Sequence, residues 1–148
     1  MNKLETTLSI LAIIISILSI IISFIQNRKM NNVNIKAHYF EKIFDEYMIS
    51  QIPKARKYIR FSNGKLSDFE ELGNVLNRMI ANAIFFKFDN IKFYKELKIC
   101  VQNLEDYMYE CSTKTYEDEE QSNIYKEIQI HLEKIYHCIN KYYSGKKS

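Results

Sequence analysis

The sequence predicts an all-α protein in which a single N-terminal transmembrane helix continues into a cytoplasmic helical bundle. Three observations lead to this prediction. An apolar segment without charge runs from Leu8 to Ile25, one Pro and three Gly in 148 residues leave few turns, and the rest of the chain repeats apolar residues at helical spacing. Removal of the first thirty or so residues leaves about 115, which is enough for one hydrophobic core.

The apolar segment and its flanks define the predicted organisation of the chain. As a helix, residues 8–25 cover about 27 Å, close to the hydrocarbon thickness of a bilayer. A secretory signal peptide is the alternative, but no small-x-small cleavage site follows. The cations that follow the segment, Arg28, Lys29 and Lys36, place the C-terminal part in the cytoplasm by the positive-inside rule. We therefore predict a single-pass protein of the inner membrane with its N-terminus outside.

The predicted domain boundaries follow from the same pattern. Residues 1–30 form the transmembrane segment, with the span at about 8–25. Residues 31–52 form a helical stalk that enters the bundle, residues 53–143 form the cytoplasmic helical domain, and residues 144–148 form a basic tail.

Five small residues within the apolar segment follow a spacing of three, four, three and four. They are Ser9, Ala12, Ser16, Ser19 and Ser23. This spacing is the a/d seam of a heptad repeat. Two interpretations remain open: the seam packs membrane helices closely together, or it lines a water-filled path between several copies. Both predict a homo-oligomer.

Local signals predict where the helices of the domain begin and end. Pro53 suits the first turn of a short helix, and "SNGKL" reads as a turn. Ser67 with Glu70 resembles a capping box, and Asp89 is the predicted N-cap of the next helix. The acids of "EDEE" suit the N-terminus of the last helix. Apolar residues at helical spacing predict the three long helices, over about 69–84, 93–108 and 124–139.

The segment "PKARKYIRFSNGK" contains five cations and no acid, although the whole chain carries a net charge of only +3. Three interpretations remain open: a solvated helix face, a contact with anionic lipid headgroups, and a site for a phosphate-bearing ligand whose bases stack on aromatic rings. Helical spacing places Arg56 and Arg60 on one face, with Lys57 adjacent. The candidate ligand-binding residues are Lys54, Arg56, Lys57, Tyr58 and Arg60.

No catalytic motif is recognisable in the sequence. It has no glycine-rich phosphate loop, no HExxH, no nucleophile elbow and no CxxC. Three cysteines are an odd number for a disulfide framework, so we interpret them as buried thiols. His38 lies at helical spacing from Glu41 and Asp45, but the paired ExxH motifs of di-iron bundles are absent. We predict no catalytic residue, no metal and no cofactor.

Two longer stretches carry a family resemblance. The segments "YFEKIFDEYMISQIPKARKYIRF" and "LGNVLNRMIANAIFFKFDNIKFYKELKICVQNLEDYM" resemble the cytoplasmic helical region of small single-span bacterial anti-phage defence membrane effectors, in particular the membrane component of Hailong-type systems. The resemblance covers residues 38–143 and rests on pattern, without a diagnostic motif. It implies a homo-oligomeric membrane effector, held or released by a DNA oligomer that a nucleotidyltransferase encoded nearby makes.

The predicted function is therefore a homo-oligomeric, pore-forming membrane effector of anti-phage defence, gated by a phosphate-bearing ligand such as short single-stranded DNA or a nucleotide. The alternative is a non-conducting membrane tether that docks a protein partner on its helical domain. An effector should carry a basic, aromatic site, whereas a tether should carry an exposed apolar groove.

Overall fold

The computed structural model describes the backbone of residues 3–143 and the side chains of residues 15–30 and 35–143. The chain is mostly helical, with one two-stranded hairpin that the all-α prediction did not include. In chain order the elements are α1 (Lys3–Lys42), a π-helix (Ile43–Gln51), α2 (Ile52–Arg56), β1 (Arg60–Ser62), β2 (Lys65–Ser67), α3 (Glu70–Asn82), a 3₁₀ turn (Ala83–Phe85), α4 (Phe86–Asp89), α5 (Ile91–Thr113) and α6 (Asp118–Tyr143).

The contacts divide the chain into two units, residues 1–38 and residues 39–148. In the first unit, the described apolar run covers residues 15–25 and ends at Gln26, shortly before Arg28 and Lys29. Among the described residues, none of the helices combines the length and the apolar character that a bilayer crossing requires.

This finding corrects two predictions. The single transmembrane helix at about 8–25 is wrong, and so is the single-pass location in the inner membrane with the N-terminus outside. Two further predictions lie outside the side chains that the structure describes. They are the first two members of the small-residue seam, Ser9 and Ala12, and the basic tail at 144–148.

The core of the second unit lies mainly between α5 and α6. A connection of four residues joins these helices, and such short connections favour antiparallel neighbours. Each helix buries one apolar stripe at the predicted spacing: Leu97, Val101, Leu104 and Met108 on α5, and Ile124, Ile128, Leu132, Ile135 and Ile139 on α6. Full burial of one such side chain is worth about 1.5–3 kcal/mol, so these stripes contribute a large share of the stability of the unit.

A cluster of aromatic rings closes one end of this core. The Phe86 ring lies 4.4 Å from the Phe40 ring and 5.0 Å from the Phe93 ring, centroid to centroid. Tyr39 stacks on Phe85 at 4.4 Å. Phe86 and Phe93 are completely buried. Because these rings come from the end of α1, from α4 and from α5, the cluster ties three separate segments together.

The π-helix that follows α1 carries its own buried polar contacts. Tyr47 is almost fully buried, and its hydroxyl accepts a hydrogen bond from the Asn82 side chain on α3. The Tyr136 hydroxyl on α6 donates to the Met48 carbonyl at 3.0 Å. The i→i+5 pairing of a π-helix rearranges the backbone ladder, and side chains of α3 and α6 fasten this segment to the bundle.

The ends of the helices test the predicted caps. Pro53 lies in the first turn of α2, as predicted. The predicted capping box of Ser67 and Glu70 is wrong, because Ser67 pairs within β2 and its hydroxyl donates to the Arg60 carbonyl at 3.2 Å. The N-cap of α5 is Asn90 instead of Asp89, and its side chain accepts from the Phe93 amide at 3.1 Å.

The acidic residues of the last connection occupy the first turn of α6, as predicted. Asp118, Glu119 and Glu120 all lie there. Negative charge in the first turn interacts favourably with the positive end of the helix dipole. The Glu120 carboxylate also accepts a hydrogen bond from the Glu117 amide at 3.0 Å. This bond satisfies a backbone donor that has no partner within the helix.

Candidate ligand-binding groove

The hairpin β1–β2 builds one wall of the candidate site. Its two turn residues both have positive φ angles, 51° for Asn63 and 76° for Gly64. This is the conformation of a two-residue type I′ turn, for which Asn-Gly is the strongest sequence signal. Because side chains alternate across a strand, the exposed Arg60 faces away from the side on which Phe61 packs.

Three contacts fix the hairpin against the connection between α5 and α6 and the start of α6. The Gly64 carbonyl accepts a hydrogen bond from the Tyr116 amide at 2.8 Å. The Phe61 ring meets the Tyr125 ring edge-on, with centroids 5.4 Å apart. The Tyr125 hydroxyl donates to the Ile59 carbonyl at 3.4 Å. The backbone that carries Arg60 is therefore held on both sides of that residue.

The outer face of the hairpin borders an open groove of about 690 Å³. Lys57 and Tyr58, from the turn after α2, reach it together with Arg60 from β1. The Tyr58 side chain is 63% exposed, so one face of its ring is available to a flat ligand. Three of the five predicted ligand-binding residues thus meet in one groove.

The other two predicted residues separate from this set. Lys54 lines a second groove of about 450 Å³ that also contains Tyr58 and Arg78. Arg56 lines neither groove. The predicted helical face of Arg56 and Arg60 is not formed, because α2 ends at Arg56 and Arg60 lies in a strand. The prediction assumed a helix that the Asn-Gly hairpin interrupts.

Three carboxylates from outside the basic segment at 53–65 also line the first groove. They follow β2 and are Asp68, Glu70 and Glu71. The Arg60 guanidinium forms an ion pair with Asp68 through Nε, and Arg78 lies 3.6 Å from Glu71. Both pairs are exposed, and exposed pairs are worth about 0–1 kcal/mol. A guanidinium has five N–H donors, so the Asp68 contact leaves Arg60 donor capacity for an anionic group of a ligand.

The described members of the small-residue seam are Ser16, Ser19 and Ser23, and all three are exposed. The Ser19 hydroxyl donates to the Ile15 carbonyl at 2.9 Å. Such a bond satisfies a serine within its own helix. Large apolar side chains beside the seam, such as Ile20 and Phe24, are 68% and 67% exposed.

Within residues 15–30 and 35–143, no three His, Cys, Asp or Glu side chains are grouped as a metal site requires. Glu133, which lies four residues before His137 on α6, accepts a hydrogen bond from the Gln129 side chain at 2.9 Å.

Comparison of the chain with protein-family models, with curated proteins and with solved structures gives no match in any of the three.

Proposed function

We propose that this chain is a self-associating binding protein whose groove at Lys57, Tyr58 and Arg60 takes a phosphate-bearing ligand, with short single-stranded DNA as the favoured class. The observation that supports the proposal is the meeting of two cations and an exposed tyrosine in one open groove. Cations follow the phosphates of a single strand while aromatic rings stack on its bases. Pore formation requires the transmembrane helix that was predicted at about 8–25 and that the structure does not support. It is therefore not part of the proposal.

The carboxylates that line the groove limit which anionic ligands can bind there. A phosphate that reaches Arg60 competes with Asp68 for the guanidinium. The contact with Asp68 is an exposed pair through Nε, worth about 0–1 kcal/mol, so little is lost when Arg60 turns to a phosphate that it can bind through two parallel N–H bonds. Glu70 and Glu71 repel a long polyanion along the rest of the groove. The site therefore fits a short strand or a nucleotide better than a long one.

Loss of one groove cation should weaken this binding more than loss of a cation outside the groove. We expect Arg60→Gln to lower the affinity for a fluorescent single-stranded hexanucleotide, and to reduce the slope of log K against log salt by up to about 0.7. Arg56→Gln is the matched control. It removes the same charge four residues earlier in the chain, and the Arg56 side chain lines neither groove. Fluorescence anisotropy across a salt series measures both variants.

A second variant tests the competition directly. Asp68→Asn should tighten binding because it frees Arg60 without changing the size of the side chain. Asn also tolerates the positive φ of 57° at this position. Equal losses in Arg60→Gln and Arg56→Gln would show a nonspecific effect of net charge, and no gain in Asp68→Asn would show that Asp68 does not compete with the ligand for Arg60. The alternative of a domain that docks a protein partner would then be favoured.

Self-association through α1 is the second part of the proposal. In one chain, residues 15–25 expose eight large apolar side chains, a larger apolar surface than soluble monomers usually show. Beside them, Ser16, Ser19 and Ser23 repeat at heptad spacing, and small residues on one face let helices approach closely. A second copy of the same helix has the matching surface.

Bulky residues on the seam should disrupt this assembly. We expect Ser16→Leu with Ser19→Leu to change the oligomer size in sedimentation velocity, because Leu at these positions blocks close approach. Ile20→Leu, which keeps the volume and lies beside the seam, should leave it unchanged. A monomeric wild-type chain, or the same oligomer in both variants, would contradict self-association through the small-residue seam.

The role in anti-phage defence and the nucleotidyltransferase partner stay predictions from the family resemblance. A short oligonucleotide made by such an enzyme is a ligand of the size that the groove suits. Retention of the hexanucleotide together with loss of a 30-nucleotide strand would support this size limit.

A further inference from the structure

The three cysteines differ in their surroundings more than the sequence suggests. Cys111 and Cys138 are buried, and Cys100 is half-buried at the edge of the core. Cys100 lies on α5 and Cys138 lies on α6. The question is whether the pairing of these two helices brings their sulfur atoms together.

One contact on each side of Cys100 and Cys138 shows how α5 and α6 are aligned. The Tyr142 hydroxyl donates to the Glu96 carboxylate at 2.8 Å. At the other end, the rings of Tyr107 and His131 stack with centroids 5.3 Å apart. A step of four residues forward from Glu96 and four residues back from Tyr142 reaches Cys100 and Cys138.

The second contact gives the same alignment. A step of seven residues back from Tyr107 and seven forward from His131 also reaches Cys100 and Cys138, so both contacts place the two cysteines opposite each other. The thiols accordingly form a hydrogen bond with each other. The Tyr142–Glu96 hydrogen bond, the stacking of Tyr107 on His131 and the contact between the thiols thus agree on one register.

We propose that Cys100 and Cys138 are a redox-active dithiol that closes to a disulfide between α5 and α6. Cys100 is the attacking sulfur, because its half-buried position admits a small oxidant. Cys138 is the resolving sulfur, since it is only 2% exposed and faces Cys100. The oxidant is a low-molecular-weight disulfide, for which oxidised glutathione is the probe.

The acidity of the two thiols agrees with these roles. The hydrogen bond from Cys138 lowers the pKa of Cys100 to about 7, and the ammonium of Lys134 acts in the same direction against burial and Glu96. The hydrogen bond to Cys100 raises the pKa of Cys138, and burial raises it further. The thiolate is the reactive form of cysteine, so attack begins at Cys100.

The exchange takes place in two balanced steps. The Cys100 thiolate attacks one sulfur of oxidised glutathione, the glutathione S–S bond breaks, and one glutathione leaves as a thiolate. The Cys138 thiol then loses its proton to solvent and attacks the Cys100 sulfur, and the second glutathione leaves as a thiolate. Two protein thiols are oxidised, and one glutathione disulfide is reduced to two thiols.

The test uses the full chain in buffers of oxidised and reduced glutathione. We expect the thiols that react with Ellman's reagent in denaturant to fall from three to one, with loss of two hydrogens by intact mass and return of all three after dithiothreitol. Peptide mapping should find Cys100 joined to Cys138. The urea midpoint should rise on oxidation, because the bond constrains the unfolded chain.

Cys111→Ser is the matched control and should keep this two-thiol loss. Cys100→Ala and Cys138→Ala should each abolish it, and each removes only a small side chain from a helix that favours alanine. Three free thiols after oxidation of the wild type, a stable glutathione adduct without closure, or a disulfide that includes Cys111 would each overturn the proposal. Because the wild-type measurement needs no variant, a folding defect in a variant does not affect it.

Discussion

Phe86→Ala should lower the free energy of unfolding by about 3–5 kcal/mol, the range measured for buried aromatic residues replaced by alanine. The Phe86 side chain is completely buried and touches Phe40 at 4.4 Å and Phe93 at 5.0 Å, centroid to centroid. Its removal leaves a cavity between three segments that contact each other through this ring. Urea denaturation followed by circular dichroism measures the loss.

Phe88→Ala is the matched control for this prediction. Phe88 lies two residues further along the same short helix, but it is 85% exposed. Its substitution should change the free energy of unfolding by less than about 0.5 kcal/mol. Similar losses for the two variants would mean that the aromatic cluster is not the point at which α1, α4 and α5 are joined.

Gly64→Ala should destabilise the protein by about 2–3 kcal/mol, because two effects add at this position. The φ angle of 76° lies in the left-handed region, which residues with a side chain adopt only at a cost in free energy. A Cβ atom would also meet the Thr115 Cγ2 atom at 2.7 Å and the Tyr116 carbonyl at 3.1 Å. Since the hairpin positions Arg60, this variant should also weaken ligand binding.

Gly73→Ala should have the opposite sign. Gly73 lies inside α3, and its Cβ would meet only the end of the Glu105 side chain, at 3.7 Å. Alanine in a helix interior stabilises relative to glycine, by about 0.4–1 kcal/mol where no strain results. Urea midpoints of both variants against the wild type give the comparison. Destabilisation of equal size at both glycines would contradict the turn geometry assigned to Gly64.

Residues with a helical apolar period were predictable from the sequence. The stripes of α5 and α6 lie where the spacing of Leu97, Val101, Ile128 and Ile135 predicts them, because burial of one helix face requires that period. The hairpin was missed although Asn63-Gly64 is its signal. "SNGKL" was interpreted as a turn between helices, since strands of three residues are too short to show an alternating pattern.

The composition of the groove could not be predicted from local sequence. The basic segment has no acid of its own, and the pairing of β1 with β2 brings Asp68 against Arg60. The contact of Cys100 with Cys138 was hidden for the same reason, because it depends on the alignment of two helices. The transmembrane prediction weighed the composition of residues 8–25, whereas none of the described helices combines the length and the apolar character that a bilayer crossing requires.

The first and last segments of the second unit meet each other in space. The Tyr143 ring at the end of α6 lies 6.0 Å from Phe40 and 6.1 Å from Phe44, centroid to centroid. During synthesis, these early aromatic residues leave the ribosome about a hundred residues before their partner, at about 5–20 residues per second. The bundle therefore closes only after α6 has been synthesised, and until then the nascent chain exposes the apolar surface that α6 later covers.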